Sequence, residues 1–251
     1  MRLFKTFMTA LTAVTMFSAG SALAAGGDGS TFKVNEGYAF TGGQILTANG
    51  LNFTWTSELT MTGTDTFTEI GSFYVTNFQT GVLPGSDALN KEYRLVGQFQ
   101  ASGSAQVFNT PIGPMSYGVF DTFHLDLGLS YDLGPSGSSN PSIEKLLGTG
   151  ELVKGDALIT PGLISKGDWQ AILNFTANTE GEKYFIEPKP FVLELTLAGV
   201  ITDLSDGNLF TGPLDKTGSG DAYVTDVPEP ASLALLGFGL IGLGLSRRRR
   251  S

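Results

Sequence analysis

The chain of 251 residues contains no cysteine and a single histidine. The absence of cysteine excludes disulfides, thiolate nucleophiles and cysteine-ligated zinc. Because His124 is alone, a histidine-rich zinc site is excluded as well. A fold without disulfides depends on its hydrophobic core, and about 200 residues are enough to bury a sizeable one.

Basic residues are scarce between the two ends of the chain. Residues 25–226 hold 9 of the 15 Lys and Arg but 23 of the 24 Asp and Glu, a net charge of −14. We therefore expect no nucleic-acid partner, because phosphate binding needs lysine and arginine. Such a charge favours solubility, and clusters of carboxylates can also hold divalent cations.

The N-terminus has the pattern of a secretory signal peptide. A basic start precedes an apolar stretch, and Ala22 and Ala24 then give the small-x-small pattern that signal peptidase reads. We predict cleavage after Ala24, with Ala25 as the alternative, so that residues 1–24 leave the exported chain. A membrane anchor is the other interpretation, and the short apolar run and its cleavage pattern argue against it.

Alternating apolar and polar residues predict that the central region is built from β-strands. In LNFTWTSELTMT, residues 51–62, the apolar residues share one parity, and Ser57 is the only polar residue among them. Trp55 and, further on, Trp169 share the parity of apolar neighbours. We therefore expect both tryptophans in the core rather than on a sugar-stacking surface.

The same period occurs in YGVFDTFHLDLGLSY, residues 117–131. It predicts that Tyr117 and Val119 lie on the same face as Phe123, with Asp121 as the exception. The polar face of this strand carries His124 and is expected to face water.

Many strands and no convincing amphipathic helix predict an all-β fold, a single antiparallel β-sandwich of which the jelly roll is one form. We expect one exported domain over residues 25–226, between the signal peptide and a short apolar C-terminal helix. A helical turn is expected near residues 142–147. The sequence GPSGSSNPS, residues 134–142, is interpreted as a long hairpin loop, and KTGSG, residues 216–220, as a turn.

The C-terminus, residues 227–251, reads VPEPASLALLGFGLIGLGLSRRRRS. Its apolar run at 231–245 would make a helix of about 22 Å at ~1.5 Å per residue, which is shorter than the ~30 Å hydrocarbon core. Four glycines weaken that helix, and the arginines would stay on the cytoplasmic side. We predict transient insertion in the inner membrane with the Pro-Glu-Pro stretch exposed to a protease. A permanent anchor is the alternative.

The Pro-Glu-Pro stretch, the glycine-rich apolar run and the terminal arginines resemble a PEP-CTERM sorting signal, here residues 227–251. The resemblance implies a Gram-negative host that makes exopolysaccharide and an exosortase that recognises and removes the tail. The exosortase would recognise these residues as parts of its substrate: Pro228, Glu229, Pro230, Arg247, Arg248, Arg249 and Arg250.

Three further segments are similar to PEP-CTERM proteins associated with flocculation. They are FKVNEG at 32–37, YFIEPKPFVLELTLAG at 184–199 and GSGDAYVTDVPEP at 218–230. This resemblance implies a protein that holds cells together within an exopolysaccharide matrix.

Catalytic constellations have little support. His124 lies near Asp121 and Asp126, but no G-x-S-x-G elbow supplies a nucleophile for a triad. Two carboxylates at a suitable separation can cleave a glycosidic bond. The candidates, which lie on the polar faces of the predicted strands, are Glu58, Asp126 and Glu194. Charge on a strand surface explains them as well.

Calcium ligands are the remaining possibility for a metal. The sequence DKTGSGD places Asp215, Thr217, Ser219 and Asp221 at alternate positions, and DLSDGN at 203–208 is a second acidic segment. Oxygen ligands at such spacing can surround Ca²⁺, but Gly/Asp turns have the same composition. We expect no cofactor and no metal, with Asp215 and Asp221 as the candidates if calcium binds.

These patterns together predict an exported, non-enzymatic protein of the cell surface or exopolysaccharide matrix that promotes aggregation or flocculation. Its expected partners are an exosortase and an exopolysaccharide. Its expected location is the envelope or extracellular matrix of a Gram-negative bacterium. Two alternatives remain open: a lectin-like carbohydrate-binding module and a secreted glycan-active enzyme.

Overall fold

The structure is a computed structural model. It describes residues 31–80, 86, 88–110, 113–133, 142–160, 165–187, 191–201 and 214–226, so the predicted signal peptide and sorting signal lie outside the described residues. In chain order the elements are β1 (Phe32–Asn35), α1 (Glu36–Ala39), β2 (Ile45–Ala48), β3 (Gly50–Met61), β4 (Thr66–Gln79), β5 (Arg94–Thr110), β6 (Gly113–Ser130), β7 (Lys145–Thr160), β8 (Ser165–Ala177), α2 (Thr179–Tyr184), β9 (Phe185–Glu187), β10 (Phe191–Ile201) and β11 (Leu214–Asp226).

Eight of the strands form a closed antiparallel barrel in the order β3-β4-β5-β6-β7-β8-β10-β11, and β11 pairs back onto β3. The all-β class is confirmed. The predicted sandwich is wrong, because the strands close one ring instead of forming two facing sheets. Both architectures bury one face of every strand, so the alternating pattern that predicts the strands cannot distinguish them.

Aromatic side chains fill the middle of the barrel. The Trp169 ring centroid lies 5.4 Å from that of Phe123, 5.6 Å from Phe99 and 5.8 Å from Phe120. Trp55 packs edge-on against Trp169 at 6.2 Å. The two tryptophans are 2% and 4% exposed, which confirms their assignment to the core.

Inward-facing glycines provide the room for these rings. A Cβ atom on Gly97 would lie 2.3 Å from the Phe73 ring, and one on Gly71 would lie 2.3 Å from the Phe99 ring. Small barrels alternate small and large inward residues so that side chains fill the interior. Glycine within these strands therefore serves packing rather than chain reversal.

A bulge in β6 changes which of its residues face the core. Asp121 has no partner on β5, because Thr122 pairs with Ser102 while Phe120 pairs with Gly103. An unpaired residue reverses the side-chain alternation on one side of the bulge. Phe120 is therefore buried and Val119 is 40% exposed, so the prediction that Val119 shares a face with Phe123 is wrong.

Two predicted local structures are also wrong. Residues 142–147 contain no helical turn, because β7 begins at Lys145. The sequence KTGSG lies inside β11, where it pairs with both β3 and β10. A Cβ atom on Gly220 would lie 2.6 Å from the Phe53 ring, so this glycine also makes room for an aromatic side chain.

The elements outside the barrel form a unit that we call the cap: β1, β2, β9, α1 and α2. The strands of the cap form a separate sheet in the order β2-β1-β9. Their buried apolar residues belong to the same hydrophobic core as the barrel: Phe32, Val34, Leu46, Ala48 and Phe185. Asn49 joins β2 to β3, and its N–H donates to the carbonyl of Gln79 at the end of β4. The cap therefore lies at the barrel end where β3 begins, which we call the cap end, and the opposite end is the far end.

One ion pair is buried inside the barrel. Lys216 Nζ lies 2.7 Å from Glu69 Oε1, and the Ser57 hydroxyl donates to the same oxygen at 2.6 Å. The Lys216 and Glu69 side chains are only 5% and 1% exposed. Ser57, the polar exception in the apolar phase of β3, thus stabilises a buried carboxylate.

This pair predicts a strong and asymmetric mutational effect. Lys216→Met should lower the free energy of unfolding by about 3–5 kcal/mol, because it leaves the Glu69 carboxylate buried without its cation. The double variant Lys216→Met/Glu69→Met should recover most of the loss, since no buried charge then remains. Chemical denaturation of the purified variants measures both effects.

The exposed pair of Lys33 and Glu187 provides the matched control. Its atoms are 2.8 Å apart, but its side chains are 44% and 61% exposed. Lys33→Met should therefore cost less than about 1 kcal/mol. Equal losses in Lys216→Met and Lys33→Met would contradict the proposed effect of burial.

Candidate functional site

His124 lies on the outer face of β6 between two carboxylates. Its Nδ1 is 2.6 Å from Glu151 Oε1 on β7, and its Nε2 is 3.3 Å from Asp126 Oδ1. The hydrogen bond to Glu151 is the main cause that raises the pKa of His124 above its usual value. Partial desolvation opposes this shift, and Asp126 adds to it.

A Ser-His-Asp triad is not assembled at His124. Both ring nitrogens face carboxylates, so neither is placed to take a proton from a serine hydroxyl. The nearby hydroxyls of Ser102 and Thr122 hydrogen-bond to each other at 2.7 Å. The two carboxylates favour the protonated form of the imidazole.

The three carboxylates nominated for glycoside cleavage lie far apart. β4 and β5 separate Glu58 from Asp126, which places them about 14 Å apart around the barrel at ~4.8 Å per strand. Glu194 pairs with Tyr223, and Glu58 pairs with Asp215, eight residues away along β11. Inverting glycosidases need a separation of about 6.5–9.5 Å, and retaining ones need less. β7 and β8 separate Asp126 on β6 from Glu194 on β10, so no two of these three residues lie on neighbouring strands at facing positions.

The calcium candidates Asp215 and Asp221 lie on one strand rather than in a loop. Six residues of strand separate them by about 20 Å at ~3.4 Å per residue, so they cannot share an ion. Asp221 instead accepts hydrogen bonds from the Gln79 amide at 3.1 Å and from the Asn52 amide. Residues 203–208 lie outside the described part of the chain. Within that part, no group of three His, Asp or Glu is arranged to hold a metal ion.

A buried polar network under the cap was not predicted from the sequence. Glu36, which is 1% exposed, accepts a hydrogen bond from the Tyr93 hydroxyl at 2.8 Å and another from the Ser86 hydroxyl. The Tyr93 and Tyr184 hydroxyl oxygens are 3.1 Å apart. Burial is the main cause that raises the pKa of both tyrosines far above the usual value. Both hydroxyls therefore stay protonated, which allows Tyr93 to donate to the carboxylate.

The network joins the segments at 32–37 and 184–199, two of the three segments from which a flocculation-associated protein is predicted. Glu36 belongs to the segment at 32–37, and Tyr184 opens the segment at 184–199. β1 and β9, from the same two segments, pair directly through Lys33 with Glu187 and Val34 with Phe185. The segment at 32–37 thus lies in the cap, and the segment at 184–199 links the cap to β10 of the barrel.

The third such segment, at 218–230, runs along β11 towards the cap end. β11 ends at Asp226, which pairs with Phe191, the first residue of β10. The predicted sorting signal at 227–251 therefore follows a strand that ends at the cap end. Lying outside the described residues are the tail residues Pro228, Glu229, Pro230, Arg247, Arg248, Arg249 and Arg250 and the signal-peptidase residues Ala22 and Ala24.

Comparison with known families identifies this tail. Residues 226–250 match the PEP-CTERM protein-sorting motif, so the match begins at the last residue of β11. No curated protein and no solved structure matches the chain. Among the described helices, none has the length and hydropathy to span a membrane.

The motif defines the class of protein. It marks an exported substrate of an exosortase that is sent to the cell envelope of a Gram-negative bacterium. The chain thus carries a PEP-CTERM sorting motif directly after the last strand of an eight-stranded barrel.

The buried tyrosines predict alkaline destabilisation. The unfolded chain can ionise Tyr93 and Tyr184 near pH ~10, whereas the folded chain holds their pKa far higher. Their contribution to stability is complete below pH ~10 and is lost as the pH rises above it. The double variant Tyr93→Phe/Tyr184→Phe should flatten this decline, measured as the free energy of unfolding against pH. An unchanged slope would show that other groups cause the alkaline loss.

The single histidine allows a direct test of its pKa. In an NMR titration, Glu151→Gln should lower the pKa of His124 towards its usual value, because the main hydrogen bond is lost. Asp126→Asn should lower it less. The small stabilisation from the charged ring is present in acid and is lost as the pH rises through the raised pKa. A larger effect of Asp126→Asn would contradict this order of contributions.

Proposed function

We propose that this protein is a non-enzymatic component of the cell surface or exopolysaccharide matrix and promotes cell aggregation or flocculation. An exosortase delivers it through the C-terminal motif. The observation that carries the proposal is the sorting motif attached directly to a barrel whose centre is filled by aromatic side chains. A filled barrel acts through its outer surface.

The outer surface suits contact with polysaccharide. On β5, β6 and β7 it presents hydroxyl, amide and carboxylate side chains, all exposed or half-buried, such as Gln100, Ser102, Thr122, Asp126 and Glu151. Such groups can exchange hydrogen bonds with sugar hydroxyls. The buried Trp55 and Trp169 are not available for stacking on sugar rings, which counts against the lectin-like alternative.

The resemblance to flocculation-associated proteins adds support of a specific kind. The segment at 32–37 lies in the cap, the segment at 184–199 runs from the cap into β10 of the barrel, and the segment at 218–230 leads into the sorting tail. The resemblance therefore lies in the cap, in the barrel strand β10 and in the strand that precedes the sorting tail. The surface that meets the matrix then lies on the sides and the far end of the barrel.

The decisive experiment measures both the mass of the mature protein and the aggregation of the cells that produce it. In the producing bacterium, the recovered protein should have an intact mass that lacks the leader and the residues after the Pro-Glu-Pro stretch. Deletion of the gene should reduce aggregation. Replacement of Pro228, Glu229 and Pro230 by alanine should leave the tail uncleaved and reduce aggregation to the same extent, because the protein is no longer delivered.

Ser232→Ala is the matched control, since it changes the tail but leaves the Pro-Glu-Pro stretch intact. It should be cleaved and should support aggregation as the unchanged protein does. Unchanged aggregation after gene deletion would overturn the proposed role, even if the tail is processed. Saturable binding of a purified sugar that is lost on Tyr131→Ala would favour the lectin-like alternative, since Tyr131 is an exposed aromatic residue.

A further inference from the structure

The hairpin of β5 and β6 extends beyond its neighbour β4 at the far end of the barrel. The pairing of β4 with β5 stops where Thr66 meets Ser104, and one further bond runs from the Ala105 N–H to the Asp65 carbonyl. β5 continues to Thr110 and remains paired with β6. Within the described residues, the other edge of β5 over 106–110 therefore has no partner strand.

In the part of the chain that the structure describes, this edge lacks the usual protection against strand pairing. Natural proteins protect edge strands with charged side chains, prolines within the strand or bulges that turn the edge away. Val107 and Phe108, which lie on this free edge segment, are 41% and 47% exposed. Residues 95–120, which contain the segment, form the longest stretch of the chain without Asp, Glu, Lys, Arg or His, 26 residues in all.

The charge distribution points to a second copy of the chain as the occupant. Residues 25–226 carry a net charge of −14, so two copies repel each other across most of their surfaces. The uncharged hairpin is a place where two identical surfaces can meet without that repulsion. Two copies of one edge can pair antiparallel about a twofold axis, so that each satisfies the backbone groups of the other.

We infer that the protein self-associates through the free edge of β5 at residues 106–110, by antiparallel pairing with the same edge of a second copy. The edge lies at the far end, whereas β11, which the sorting tail follows in the chain, ends at the cap end. Copies held by their tail ends on two cells would thus present these edges to each other. That cellular consequence rests on the proposed function, but the self-association itself does not.

Sedimentation of the purified mature protein over a range of concentrations tests the inference. The unchanged protein should form a dimer that strengthens with added salt, because salt screens the repulsion between the acidic bodies. Val107→Lys should weaken dimerisation by about tenfold or more, because it brings like charges together across the paired strands. Ile70→Lys is the control, since Ile70 is 62% exposed on β4, which is paired on both sides.

The absence of cysteine makes a second test direct. Single variants Gln106→Cys, Val107→Cys and Phe108→Cys should include at least one that forms a disulfide-linked dimer under mild oxidation. A disulfide joins only residues whose Cα atoms lie about 4.4–6.8 Å apart, which a position near the twofold axis satisfies. Ile70→Cys should remain monomeric under the same conditions.

The two tests separate the inference from the proposed function. A protein that stays monomeric at all concentrations, or an equal loss of dimer in Val107→Lys and Ile70→Lys, overturns the inference. Binding of another protein or of a polysaccharide at this edge by a monomeric protein overturns it too. If Val107→Lys disrupts the dimer of the purified protein but does not change the aggregation of cells that produce it, the inference is supported. A role of the dimer in aggregation is then excluded.

Discussion

The packing of aromatic rings around Trp169 is the interaction on which the rest of this structure depends. The ring contacts side chains of β5 and β6 and reaches Trp55 on β3, so one residue of β8 connects strands on opposite sides of the barrel. Gly71 and Gly97 have no side chain and so leave room for the rings of Phe99 and Phe73. Because the barrel closes around its own side chains, its interior supplies stability, and recognition is left to the outer surface and the ends.

The two ends of the barrel are physically different. The cap end buries a carboxylate, Glu36, in hydrogen bonds from Tyr93 and Ser86 and holds β1 against β9. Removal of one partner from such a network leaves a buried polar group unsatisfied, so the network favours one arrangement of the cap. The far end has an uncharged hairpin with an edge that no described strand pairs. β11, whose last residue begins the sorting motif, ends at the cap end.

The sequence predicts the strands well and their assembly poorly. Alternation correctly assigns Phe53, Trp55 and Trp169 to the interior, because each strand buries one face whatever its neighbours do. It fails at Asp121, because a single unpaired residue shifts the phase, and the exception at that position was the only visible sign. It fails also at Gly220, where a turn-like composition serves to admit a ring from β3. Closure into a barrel depends on the pairing of β11 with β3, a long-range contact without a local pattern.

The candidate sites show the same division between local and long-range information. The sorting motif is continuous in the chain, so its residues and order identify it without a fold. Glu69 and Lys216, in contrast, are distant in sequence and meet only because the ring closes, which makes their ion pair a consequence of the barrel. The free edge of β5 is also a property of assembly, since it results from β4 being shorter than the hairpin beside it. The uncharged sequence of this hairpin can be interpreted as a contact surface only because the fold places part of it at an edge that no described strand pairs.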